Sequence, residues 1–203
     1  MILQMRNMRK RKKLIALFVL TVLIALVLVS CSDNALKFRN DGNTGNLIDD
    51  ENDRYYVYCK GYLQAAAIKP VLYARGDRKE KLYEVEGLDP AEWLSEDISV
   101  GVAFLFRASN IDEPTLEEFE TERIHITIAE TAVIQVGLIG DKEDVDKIVG
   151  EFLYNKEVAY PDFVTDYFTF NFESAKYNGI YYVLTYLVDE KNNAYLYDRW
   201  TGR

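Results

Sequence analysis

The chain has 203 residues, 49% hydrophobic and 28% charged, which excludes disordered and fibrous classes and allows one ordinary domain or two very small ones. Its first 30 residues hold six of the 24 basic residues (Arg6, Arg9, Lys10, Arg11, Lys12, Lys13) and none of the 33 acidic ones, so the remainder carries 18 basic against 33 acidic residues, a balance of −15. That sign repels phosphate, excludes nucleic acid binding by general electrostatics, and makes the body a poor match for anionic lipid headgroups.

Two cysteines and one histidine set the next bound. Zinc, haem and iron–sulfur sites need several soft or imidazole ligands in one place, so no metal and no cofactor is expected. A disulfide scaffold is excluded as well if Cys31 is consumed as described below, because Cys59 then has nothing to pair with.

Residues Leu14 to Val29, LIALFVLTVLIALVLV, follow directly on the basic cluster Arg9 to Lys13. A positive segment followed by an apolar one is the order of a secretory signal. As a helix this run would rise roughly 24 Å at about 1.5 Å per residue, short for a permanent span of a core about 30 Å thick. The basic cluster holds the front end in the cytoplasm, so the chain after Val29 is carried outward. Met1, Met5 and Met8 are alternative starts that each leave this signal intact.

The apolar run ends in Leu28, Val29, Ser30 and Cys31. Here the chain resembles the bacterial lipoprotein precursors, whose lipobox has an aliphatic residue, a small or aliphatic residue, a small residue and then cysteine. The resemblance covers about the first 31 residues and says nothing of the folded part. It implies cleavage between Ser30 and Cys31, a diacylglyceryl thioether on Cys31, and anchoring by lipid in the cell membrane or outer membrane with the domain on the extracytoplasmic side. Ser32, where an Asp would favour retention, is compatible with sorting to the outer membrane, and the final membrane stays open. Each buried methylene contributes about 0.8 kcal/mol, so two acyl chains anchor stably where one does not. The alternative is an uncleaved signal anchor with Cys31 an ordinary residue at the membrane boundary.

From Ser32 to Arg54 the chain is rich in Asn, Asp and Gly and offers only Ala35, Leu36, Phe38, Leu47 and Ile48 for burial. The expectation is a lipidated cysteine and flexible acidic tether over 31–54, reaching roughly 25–30 Å at about 5–6 Å × √n. The run Asp49, Asp50, Glu51, Asp53 lacks the alternation and turn glycine of a calcium loop and reads as solvated charge.

The folded domain is expected over 55–203. Tyr55 to Tyr62 and Pro70 to Ala74 read as strands, as does Lys81 to Glu86 with Leu82 on its wetter face. Asp89-Pro90-Ala91-Glu92 predicts one short helix, and Thr115 with Glu118 a second, acidic and exposed. Val100 to Arg107 reads as a buried strand. Arg123 to Glu130 alternates, with Ile124, Ile126 and Ile128 inward and His125 and Thr127 outward; Ala132 to Ile139 is nearly all apolar and predicts a strand covered on both faces. Asp141 caps a helix to about residue 154, with Val145, Ile148, Val149, Phe152 and Leu153 on one face. Phe168, Phe170 and Phe172 alternate with polar residues, Asn178-Gly179 predicts a tight hairpin, and Ile180 to Val188 and Ala194 to Asp198 complete a three-stranded meander. The fold class expected is α+β, a mostly antiparallel sheet with one amphipathic helix and two short ones.

With Cys31 consumed, Cys59 and His125 are the one possible Cys–His pair, and neither sits in an activating context; a buried small residue and a solvated imidazole are the simpler reading. No serine stands in a GxSxG elbow and no glycine-rich loop precedes a helix. Asp141, Glu143, Asp144 and Asp146 look like a metal cluster, yet at a helix start they are more simply charge near the positive end of the dipole. Tyrosine is the excess, 15 residues, all after residue 54. Tyr182, Tyr186, Tyr195, Tyr197 and Trp200 form a candidate binding face, against the plainer alternative of cross-strand pairing within the sheet.

Three function classes remain. The leading one is a lipid-anchored, non-catalytic binding or interaction module of the cell envelope, facing a basic protein or peptide; an inhibitor or immunity-like protein is one version, and its binding would weaken as salt rises. The second is an envelope hydrolase using two carboxylates, which requires a pocket holding an Asp or Glu of raised pKa. The third is a passive component of a larger assembly, marked by an exposed apolar patch.

Overall fold

A computed structural model describes residues 35–42, 44–97, 104–129, 133–155 and 158–199. Ser30 and Cys31 lie outside the described residues, as do Trp200 and the first half of the Val100 to Arg107 strand.

The architecture is mostly β, which corrects the α+β expectation: among the described residues there are thirteen strands and a single helix. Seven strands close a small barrel: β1 (Leu36–Asn40), β2 (Leu47–Asp49), β3 (Arg54–Tyr58), β5 (Ile68–Gly76), β6 (Lys81–Val85), β7 (Trp93–Ser95) and β8 (Leu105–Ala108), in the order β1-β2-β3-β8-β7-β6-β5. Neighbours run antiparallel except at the closure, where β1 lies parallel to β5 with Leu36 opposite Ala74 and Phe38 opposite Gly76. Phe38, Leu47, Tyr56, Ala74, Leu82, Leu94 and Phe106 fill the interior. Phe38 stacks on Tyr56 at 5.5 Å, and the Tyr56 hydroxyl donates to the Pro90 carbonyl at 2.9 Å.

The tether expectation therefore fails from Leu36 onward, and the reason is chemical. The Asn, Asp and Gly residues that look like a solvated linker make tight turns between very short strands. Asp41 accepts from the Thr44 amide at 3.0 Å and from the Tyr55 hydroxyl at 2.7 Å, while Gly42 and Gly45 take φ of 85° and 78°. Asp49, itself buried, accepts from the Glu51 and Asn52 amides, each at 3.2 Å, and closes the β2–β3 turn. Phe38 and Leu47, two of the few apolar residues available, both point into the barrel.

The remaining strands are β4 (Leu63–Ala65), β9 (Arg123–Ala129), β10 (Val133–Ile139), β11 (Val164–Glu173), β12 (Ile180–Asp189) and β13 (Ala194–Tyr197). They form an open antiparallel sheet in the order β10-β9-β11-β12-β13, with β4 paired to the other end of β12. The helix α1 (Lys142–Tyr154) packs under β9 on one face, with Asp141 accepting from the Glu143 and Asp144 amides at 3.0 and 3.4 Å. Val145 is buried, and Ile148, Val149, Phe152 and Leu153 pack against the same core, as the periodicity predicts.

That core lies between sheet, helix and barrel. Trp93 and Leu105 face it from the barrel while their neighbours Leu94 and Phe106 face the barrel interior, so β7 and β8 are covered on both faces. Leu82 is fully buried in the barrel, not on a wetter face.

Neither short helix forms. At Asp89 the carboxylate accepts from the Ala91 amide at 2.8 Å and the carbonyl from Glu92 and Trp93, each at 2.9 Å, and the chain then enters β7. At Thr115 the reciprocal capping bonds with Glu118 do form, at 2.9 and 3.2 Å, but the turn stops after one round and its Leu116 and Phe119 are buried rather than exposed. A cap orders one turn; without residues to propagate it, one turn is all that results.

Two sheet expectations are also corrected. The β11–β12 connection is a six-residue loop, Ser174 to Gly179, with positive φ at Gly179 alone of the Asn178-Gly179 pair. A Cβ at Gly179 would stand 2.0 Å from the Glu86 carbonyl, which explains the glycine. And β10, expected to be covered on both faces, is an edge strand whose Val133, Ile134, Val136 and Leu138 are each about half exposed, with no strand beyond it among the described residues.

Candidate functional site

Alternation along the sheet strands divides their side chains between two faces. Ile124, Phe170, Phe172, Tyr182 and Leu184 turn to the core. The opposite face is a concave trough of about 1070 Å³.

Strand register sets out its floor. One row crosses five strands: Tyr197 of β13 stands opposite Thr185 of β12, Thr185 opposite Thr169 of β11, Thr169 opposite Thr127 of β9, and Thr127 opposite Gln135 of β10. The next row places Val183, Asn171 and His125 side by side. Asn171 is buried and donates to the Thr127 hydroxyl at 3.0 Å and to the His125 carbonyl at 3.3 Å, tying the rows together. Aromatic rings stand around this floor. Tyr181 and His125 lie 5.5 Å apart at one end, and Tyr160 meets Tyr197 edge-on at 4.9 Å at the other, with Tyr167 nearby.

The electrostatics of the trough differ from those of the chain as a whole. No Asp or Glu is among the described residues that line it; Arg199 and His125 are its ionisable cationic groups. At the margin Glu173 binds His125 Nε2 at 2.6 Å and accepts from Arg123 at 2.7 Å, while His125 Nδ1 meets Gln135 at 3.2 Å. Burial, and then the nearby Glu173 carboxylate, push the Tyr181 phenol above its ordinary range.

The candidate binding face Tyr182, Tyr186, Tyr195, Tyr197 is split by the pleat. Tyr182 is buried and stacks on Tyr62 at 4.9 Å, and the Tyr62 hydroxyl donates to Glu113 at 2.7 Å. Tyr186 stacks on Phe170 at 4.9 Å on the core side. Tyr195 donates to Asp189 at 2.9 Å. Tyr197 alone of the four lines the trough. Of the residues that do share the open face, Tyr181, Tyr167 and the three threonines are legible only as the outward half of each alternating strand, and their alignment needs the register; Tyr160 precedes β11 and no strand period marks it.

Cys59 and His125 are not brought together. Cys59 is buried in the core with its amide donating to the Leu105 carbonyl, and burial pushes its thiol far above the ordinary range, whereas His125 faces the trough. The acidic group at Asp141 is the helix cap and first turn, and among the described residues no cluster of three His, Cys, Asp or Glu could hold a metal ion. Glu96 has a pKa raised by burial and then by Glu80, but neither carboxylate lines the trough. Among the described residues no helix is long and apolar enough to cross a membrane.

No family model, no curated protein and no solved structure matches the chain.

Proposed function

We propose that the protein is a lipid-anchored, extracytoplasmic binding module of the cell envelope, held by a diacylglyceryl group on Cys31, and that it acts without catalysis through the open face of its second sheet. The anchor half of the reading rests on the basic cluster, the apolar run and the Leu28-Val29-Ser30-Cys31 lipobox. The binding half is carried by one observation: a concave face, about 1070 Å³ in volume, with hydroxyl, amide and phenol groups facing outward and no described carboxylate along it. A hydrolase of two carboxylates would place them where a substrate could reach them. A basic partner would seek the acidic surface elsewhere on the body, and the trough lining gives it no counter-charge.

The anchor is tested by labelling cells with a radioactive fatty acid. The native chain is expected to incorporate label and fractionate with membranes, and Cys31→Ser to lose both the label and the size shift of processing; an unchanged Cys31→Ser protein contradicts the anchor. The binding face is tested by immobilising the full chain and a Thr185→Arg variant and passing solubilised envelope over both. Retention of a component by the native chain and its loss in Thr185→Arg is the expected result, and equal retention by both contradicts the assignment.

A further inference from the structure

We infer that the ligand of the open face is an uncharged oligosaccharide or polysaccharide, bound across the strands along the Tyr197-Thr185-Thr169-Thr127-Gln135 row. This inference rests on the reading of that face as the binding surface and names what it takes.

The argument starts from spacing. Adjacent strands lie about 4.8 Å apart, so the row offers hydrogen-bonding groups at a repeat close to that of a chain of pyranose rings, over a length of roughly 19 Å for five strands. Thr169 and Thr185 present hydroxyls that both donate and accept; Thr127, whose hydroxyl donates to the Thr169 carbonyl and accepts from Asn171, keeps a second lone pair, and Gln135, whose Oε1 meets His125, keeps its amide N–H donors. A sugar hydroxyl has that same dual character. A phosphate or sulfate would need a fixed cation beside each site, and the row itself has none, the cationic groups of the trough being Arg199 and His125, the latter bonded to Glu173; an ammonium or guanidinium would need carboxylates, and none is among the described lining residues.

Stacking supplies the second element. A pyranose ring has an apolar face of C–H bonds that packs on an aromatic ring, and the phenol hydroxyl remains available at the edge. Tyr197 closes the β13 end of the row, opposite Thr185, whereas Tyr181 stands four residues back along β12, roughly 13 Å off the row at about 3.3 Å per residue. Tyr160, more than half exposed, stands edge-on to Tyr197. An aromatic pair at one end of a polar row roughly 19 Å long suits several linked rings rather than a single monosaccharide.

The floor is also held in place before a ligand arrives. Asn171 is 8% exposed and bonds to both Thr127 and the His125 backbone, and His125 is fixed between Glu173 and Gln135. Groups already ordered lose little freedom on binding, which favours a weakly binding class such as neutral glycans.

The test uses the full chain in a sugar-free detergent, with backbone amide NMR spectra recorded against cellohexaose, maltohexaose and chitohexaose, and against oligogalacturonate and an oligolysine peptide as charged controls. The expected result is that at least one neutral hexasaccharide shifts resonances of β9, β11 and β12 around Thr127, Thr169 and Thr185, that Tyr160→Ala and Tyr197→Ala each weaken that binding about tenfold, and that Tyr181→Phe, off the row, retains it. An unchanged amide spectrum outside the trough identifies the alanine variants as folded. If a charged control shifts these resonances and none of the sugars does, the ligand class is overturned while the face remains a binding surface. If no probe moves them, the sugar proposal is overturned; survival of sugar binding in both alanine variants overturns its placement in the trough.

Discussion

The barrel and the open sheet invert what their sequences offer. Residues 36–54, poor in apolar side chains and dense in Asn, Asp and Gly, form two strands of a ring with no free edge and lead into a third. Val133 to Ile139, apolar at all but Gln135 and Gly137, sits at the rim of the other sheet with four side chains about half exposed. Burial in a small ring needs only one inward residue per pleat, and turn chemistry can supply the rest; an apolar run with no neighbour beyond it stays open however hydrophobic it is. The ring has spent its backbone groups on itself. The open sheet keeps both an edge and a face for something else.

The largest expected effects attack the interior of each half. Tyr56→Ala in the barrel and Phe172→Ala in the shared core remove fully buried aromatic side chains, and each is expected to cost about 3–5 kcal/mol in urea unfolding. If Tyr56→Ala unfolds only the barrel while the sheet signals persist, the two halves are separable; a single coincident transition joins them. Gly179→Ala, which places a methyl group against the Glu86 carbonyl at a positive φ, is expected to cost about 1–3 kcal/mol by the same measurement. A smaller effect belongs to the β12–β13 turn. Bonds from the Asn193 side chain above all, and then from its amide, the Tyr195 hydroxyl and the Lys191 amide, pull the Asp189 carboxyl down to about 2. A depressed folded-state pKa gives stability that is full above the unfolded value near 3.9 and is lost as pH falls toward 2. Unfolding measured between pH 5 and about 2 should therefore fall less steeply in Asp189→Asn than in the native chain. Least is expected from Leu138→Lys on the exposed edge, within about 0.5 kcal/mol. A larger loss there would mean that β10 is covered in the native protein.

What could be read from residues alone follows the same division. The amphipathic helix, its Asp141 cap and the β11–β12–β13 meander were legible because each repeats a local pattern at the period of its element. The barrel start was not, since Asp41, Gly42, Gly45 and Asp49 have the same composition in a solvated linker as in tight turns, and closure of β1 on β5 joins residues almost forty apart. The capping box at Thr115 is legible as chemistry but not as a helix length, because the cap says nothing about how far the helix continues. For the site, parity along β12 already places Tyr182 and Tyr186 on one face and Tyr181 on the other, but which face is buried depends on Tyr62 and Phe119 arriving from distant segments. The threonine row was invisible for a related reason: Thr127, Thr169 and Thr185 become neighbours only when three strands take their register.

The division into a closed ring and an open sheet is the claim on which the functional reading stands, and residue-by-residue amide hydrogen exchange tests it most directly. Amides of β1, β2 and β3 are expected to exchange only at the rate set by global unfolding, and the outward amides of β10 at the rate of freely exposed groups. Rapid exchange throughout residues 36–54, or protection of the β10 edge equal to that of the barrel, would contradict it.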